Sequence, residues 1–184
     1  MKIIPKLKSE RITLRAFTLD DAKKVQKLAG DKKIAETTLY IPHPYPDGAA
    51  EEWIITHQKE CEENKSIIWA ITKNDNNELV GAIGFTLQPK FNKAEFGLWI
   101  GVPFWNKGYA SEALSVILKY GFEELKLNKI FAHHFITNPA SGKVMLKNGM
   151  KLEGHLREDV VKDGKYIDVK FYSILQREYK KLKK

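Results

Sequence analysis

The stretch Ala94–Leu114, AEFGLWIGVPFWNKGYASEAL, constrains the fold more than any other part of the chain. Phe96, Leu98, Trp99, Ile100 and Val102 suit an extended strand, and Gly101 and Pro103 break it. From Ala110 onward the apolar residues Ala113, Leu114, Ile117, Leu118 and Phe122 recur at the spacing of one buried helix face. Lys107-Gly108-Tyr109 joins the two patterns. A strand that ends in a glycine turn opening a helix makes an anion site. The first helical turn has N–H groups without partners, and the helix dipole adds partial positive charge there. Gly108 lets a phosphate approach the backbone closely, and Lys107 adds a full charge beside it.

Length and charge narrow the classes. At 184 residues the chain suits one domain with a real core. A net charge of +8 favours a polyanionic partner such as nucleic acid, anionic lipid or a phosphate-rich cofactor, though it also serves plain solubility. The lone Cys61 excludes an internal disulfide framework or a cysteine metal cluster, and the histidines lack metal-ligand spacing, so no metal is expected. No apolar run is long enough to span a bilayer, and the N-terminal MKIIPKLKSER has no signal-peptide core, which points to the cytoplasm.

Read in order, Arg11–Ala16 alternates as a strand. Thr18 can cap a helix from Leu19 that stops at Gly30. Pro42, Pro44 and Pro46 exclude regular structure from the next segment. A second helix is predicted from Gly48 to Glu63, with Trp53, Ile54 and His57 on one side. Ser66–Thr72 and Leu79–Gln88 read as paired strands across a turn at Asn74–Asn77, and the turn Pro89–Asn92 leads into the strand of the opening stretch. Lys129–Thr137 reads as a strand. Asn138-Pro139 opens a short helix ended by Gly149. Asp163-Gly164 joins the strands Lys151–Val161 and Tyr166–Leu175 as a hairpin. The basic tail Tyr179–Lys184 is expected to fray. The order β-α-α-β-β-β-α-β-α-β-β implies an α/β (α+β) domain over residues 1–184: a mixed, mostly antiparallel sheet with helices on both faces.

These pieces together resemble the GNAT superfamily of acetyl-CoA-dependent N-acetyltransferases, most closely its ribosomal-protein N-terminal acetyltransferase branch. The resemblance runs through ITLRAFTLDDA, IPHPYPDGAAEEWI, the opening stretch, NPASGKVMLKNGM and EGHLRED...DGKYIDVKFYSIL. It implies acetyl-CoA as co-substrate and an amine as acceptor. The family turn Gln/Arg-x-x-Gly-x-Gly/Ala holds the CoA pyrophosphate, which maps onto Asn106, Lys107, Gly108, Tyr109, Ala110 and Ser111. Trp105 stands where Gln or Arg is usual. In the family the preceding strand parts from its neighbour and pairs with pantetheine, which maps to Leu98, Trp99 and Ile100 and offers an N–H to the thioester oxygen.

The resemblance also implies roles for single residues. Glu95 is the candidate base on the splayed strand. Ser141 is the candidate acid or thiol contact, since Met145 replaces the family tyrosine, and Asn138 matches the asparagine that bonds the pantetheine arm. His43, His57, His133, His134 and His155 are rival bases; adjacent His133 and His134 point to opposite faces of a regular strand. Tyr40, Pro42, His43, Tyr45 and Trp53 are candidates to line the acceptor site. The acceptor expected from the branch is a ribosomal-protein α-amine, with a small-molecule amine or an antibiotic as the alternative. A homodimer is compatible with this reading. Two other classes stay open: a basic nucleic-acid-binding module, which lacks a reading helix or aromatic RNA motif, and a CoA-binding protein without catalysis. The chain has no Walker pattern and no Gly-x-Gly-x-x-Gly run.

Overall fold

The computed structural model of the protein describes residues 3–182. Eight strands form one sheet: β1 (Leu7–Lys8), β2 (Ile12–Arg15), β3 (Ser66–Lys73), β4 (Leu79–Gln88), β5 (Lys93–Ile100), β6 (Lys129–Phe135), β7 (Lys151–Lys162) and β8 (Lys165–Leu175). Across the sheet they lie in the order β1-β2-β3-β4-β5-β6-β8-β7. Every neighbouring pair is antiparallel except β5 with β6. The parallel pair is forced by the crossover through the long helix α4 (Tyr109–Glu123), which returns the chain to the starting end of β5.

The two sheet faces are covered by different helices. Trp69 and Ala70 are consecutive on β3 and so point to opposite faces. Ala70 and Leu79 pack with α1 (Ala22–Ala29) and α3 (Ala49–Glu62). Trp69 meets Tyr120 of α4 edge-on at 5.6 Å and is fully buried with Phe85. Burying each such ring contributes about 1.5–3 kcal/mol. Gly121 lets α4 lie close to the sheet: a Cβ there would sit 2.6 Å from Ile130 Cδ1. Asp163 and Gly164 both have positive φ, 50° and 74°, which is the backbone a two-residue hairpin turn of this twist needs.

Three elements go beyond the sequence reading. The strand β1 pairs with β2, and a four-residue helix α2 (Lys32–Ala35) precedes the proline loop. The tail does not fray as expected through Leu182. It forms α6 (Gln176–Leu182), because Tyr179 is buried against Phe122 at 4.9 Å and its hydroxyl meets Glu123 Oε1 at 3.0 Å. The last two residues of that call lie outside the described residues. The strand expected to reach Thr137 ends at Phe135, and α5 (Pro139–Lys147) follows.

Candidate active site

The central feature is a gap in the sheet. β5 pairs with β6 only from Lys93 to Glu95, opposite Lys129 to Phe131. Beyond Glu95 the two strands part, while β5 stays paired with β4 through Ile100. Gly101 donates its N–H to the Val80 carbonyl at 2.9 Å, so its backbone faces β4. Alternation then turns Trp99 and Gly97 toward β4 and turns the backbones of Leu98 and Ile100 into the gap. Of the three residues read as a pairing edge, Trp99 therefore faces the wrong way. Trp105 explains its own departure from the family turn. Its indole N–H donates to the Ile100 carbonyl at 2.5 Å, which fixes the chain where it leaves β5.

The turn at the head of α4 lies next along the chain. Asn106 and Gly108 both have positive φ, 60° and 84°. Glu112 is the first residue of α4 with its N–H bonded in the helix, to the Gly108 carbonyl at 3.1 Å. Among the described hydrogen bonds, none uses the backbone N–H groups from Asn106 to Ser111. Unbonded donors at the head of a helix are an arrangement that can accept an anion such as a phosphate, and the Lys107 ammonium lies 5.6 Å from the Phe104 ring centre. The Ser111 hydroxyl is engaged elsewhere, accepting from Asn148 Nδ2 at 3.0 Å.

A brace behind this turn was not read from the sequence. Arg11 donates from its backbone N–H and from Nε to the Glu112 carboxylate, each at 2.8 Å. Its Nη1 reaches the Lys107 carbonyl at 3.0 Å, and its guanidinium lies 5.2 Å from the Tyr109 ring centre. Ser9 adds a hydroxyl bond to Glu112 at 2.6 Å. Burial alone would raise the Glu112 pKa, but these donors bring it below the ordinary value. No spacing rule links residues 101 apart, so the pairing becomes visible only in the folded chain.

Glu95 stands at the point where the strands part. Its Oε1 is 3.0 Å from His133 Nδ1 on β6. The Glu95 bond raises the His133 pKa; burial opposes that, and the charge of Asp159 on β7 adds to it. Glu95 and His133, read as rivals, are thus one pair. His134 points to the other face, is buried, and stacks on Tyr172 at 5.5 Å. His155 pairs with Asp168 at 2.7 Å, and His57 is buried between aromatic rings. Asn138 caps α5: its Oδ1 accepts from the Ser141 N–H at 3.4 Å and its Nδ2 donates to Ser141 Oγ at 3.0 Å. Asn138 and Ser141 therefore form one local unit at the start of α5. Among the described residues, no group of three His, Cys, Asp or Glu side chains comes together to hold a metal ion.

On the sheet face of α1 and α3, a cavity of about 300 Å³ is lined by Tyr40, Ile41, Pro42, Tyr45, Trp53 and Trp99, with small residues of both helices. Four of the five expected acceptor residues, Tyr40, Pro42, Tyr45 and Trp53, are there. His43 is not among the lining residues; it is exposed, and its Nδ1 bonds the Gly30 carbonyl at 3.1 Å. Among the described residues, no helix is long and apolar enough to cross a membrane.

Known proteins share this architecture. Residues 11–151 match the model of the acetyltransferase (GNAT) domain. The uncharacterized N-acetyltransferase YoaA of Bacillus subtilis is 34% identical over 176 residues, covering 95% of this chain and 98% of its own. The crystal structure of a GNAT-family acetyltransferase from Bacillus anthracis superposes with a TM-score of 0.85 at 28% identity, over 95% of this chain and all of that one. The spermidine N-acetyltransferase of Vibrio cholerae, solved in complex with CoA and spermine, gives a TM-score of 0.78 at 27% identity, over 91% of this chain and 97% of that one. With a strand pair that opens beside a turn of unbonded amides, on a sheet shared with these enzymes, and a family model that matches residues 11–151, the chain belongs to the GNAT family of N-acetyltransferases.

Proposed function

We propose that the protein transfers an acetyl group from acetyl-CoA to a primary amine, and that this amine is the N-terminal α-amine of a protein, a ribosomal protein in the first instance, in the cytoplasm. The observation that carries the reading is the gap beyond Glu95 lying next to the unbonded amides of residues 106–111. Acetyl-CoA supplies the activated acyl group. The N–H groups of Asn106 to Ser111 and Lys107 hold its phosphates, and Leu98 and Ile100 offer backbone donors to the arm that lies in the gap. The Leu98 N–H is the donor for the negative charge that develops on the acyl oxygen.

An ammonium must lose a proton before it can attack. Glu95 holds His133 through Nδ1, which leaves Nε2 to take that proton when the ring is neutral. Direct transfer in a ternary complex then needs no covalent enzyme intermediate. Asn138 and Ser141, at the start of α5, are the polar groups for the leaving thiolate, whose ordinary pKa of about 8.5 makes that demand small. The α-amine reading rests on the resemblance to the ribosomal-protein branch. A polyamine acceptor, as in the Vibrio cholerae relative, is the competing reading.

The test is calorimetric titration with acetyl-CoA followed by an acceptor screen with mass detection of products. Binding together with acetylated N-terminal peptides supports the reading. Binding without any acetylated product would leave a CoA-binding protein. Salt-steep binding of a duplex oligonucleotide alone would favour the nucleic-acid module.

A further inference from the structure

The cavity beside Trp99 continues the site in a way that specifies the acceptor. Glu95, Gly97 and Trp99 alternate onto one face of β5. Gly97 is exposed although it lies in the middle of an eight-stranded sheet, and a Cβ built on it meets nothing within 4 Å. An uncovered strip therefore runs from the Glu95–His133 pair to Trp99, about 7 Å from Gly97 to the ring-bearing residue. At its end the lining is aromatic and aliphatic, and it contains no carboxylate, lysine or arginine. Glu51 is near enough to act on the Tyr45 hydroxyl, and its Oε2 is buried without a hydrogen-bond partner, but it is not among the lining residues.

The walls are held in place. Lys162, near the end of β7, reaches the proline loop and donates to the carbonyls of Thr38 at 2.5 Å and Ile41 at 3.2 Å. Trp53 is fixed edge-on against His57 at 4.5 Å and Phe17 at 5.1 Å. We propose that this cavity is the acceptor subsite, and that it takes an apolar or aromatic group carried next to the reacting primary amine. In a protein acceptor that group is the side chain of the first residue. The inference rests on the acetyl-transfer reading and narrows it. A polyamine fits less well, because the lining itself gives a second ammonium no counter-charge.

The experiment compares phenethylamine, spermidine, and two peptides that differ only in a first residue of Phe or Ser. Binding to the CoA-loaded protein is read by calorimetry and product formation by mass spectrometry. Phenethylamine and the Phe peptide should be preferred over the others by about tenfold or more in kcat/KM. Trp53→Ala should remove that preference through KM. Ala49→Leu, which fills the cavity without removing packing, should do the same if the first variant folds poorly. Preference for spermidine or for the Ser peptide, or a preference unchanged in both variants, would overturn the subsite. Phenethylamine bound at the cavity with no acetylated product from any amine would instead sink the transfer reading and leave the subsite standing.

Discussion

His57→Phe should make the protein markedly less sensitive to acid. His57 lies on α3, is 3% exposed, and packs between Phe17 and Trp53. Neither of its ring nitrogens has a hydrogen-bond partner. Burial pushes its pKa down from 6.5 to about 4, with the charge of Glu60 opposing only in part. The folded chain therefore keeps the ring neutral while the unfolded chain takes up a proton below pH 6.5. Stability is fully present above that pH and is lost as pH falls toward 4. Two and a half pKa units integrate to about 3 kcal/mol by pH 4. Phe keeps a ring in the same space and cannot titrate. Between pH 7 and pH 4 the wild type should lose about 3 kcal/mol more than the variant, which for a chain of this size is roughly 6–12 °C in Tm. Thermal unfolding of both proteins by circular dichroism across that range measures the difference. Paired carboxylates lose their contribution equally in both, so they cancel. Stability curves that stay parallel down to pH 4 would refute a neutral buried His57.

Gly108→Val should weaken CoA binding, because a branched residue at φ 84° costs about 1–2 kcal/mol, roughly five- to thirtyfold, and its Cβ would press on Arg11 Nη2 at 3.1 Å; unchanged affinity by calorimetry removes the turn from the site. The kcat/KM profile should fall as pH drops through a His133 pKa held above 6.5 by Glu95. Glu95→Gln removes that cause, so the acid limb should move to lower pH while the plateau rate drops; a limb that stays in place means the pair does not carry the proton. Arg11→Ala should cost about 1–2 kcal/mol in urea unfolding, since it strips donors from a partly buried Glu112 carboxylate. It should also loosen CoA binding, and wild-type affinity in that variant would show that the turn stands without its brace.

What the sequence showed depended on how local the cause was. Helix α4 and the Gly108 turn were legible because periodicity and a glycine at positive φ are written within a dozen residues. The hairpin at Asp163-Gly164 was legible for the same reason. The tail was misjudged because its basic composition hides one anchor, Tyr179, whose partner Phe122 lies on another helix. Strand β1 is two residues long and exists only through its pairing with β2. In the site, Glu95 could be nominated from the family resemblance, but its partnership with His133 depends on the parallel register that sets Glu95 opposite Phe131. The grip of Lys162 on the proline loop joins segments more than 120 residues apart, which no local pattern encodes. His43 was grouped with its aromatic neighbours by proximity in sequence, whereas the loop turns its ring toward Gly30.

The contact of Arg11 with Lys107 and Glu112 also has a consequence for the order of events during synthesis. The turn at residues 106–111 is encoded in a few consecutive residues, yet its support comes from Arg11, just ahead of β2 and some hundred residues earlier. During synthesis Arg11 emerges before those amides do, so a nascent chain that carries the turn already carries its support, whereas a chain clipped after Arg11 keeps every amide and holds them loosely. The turn is then braced only when a loop of about a hundred residues closes, a slow event in a fold of this topology.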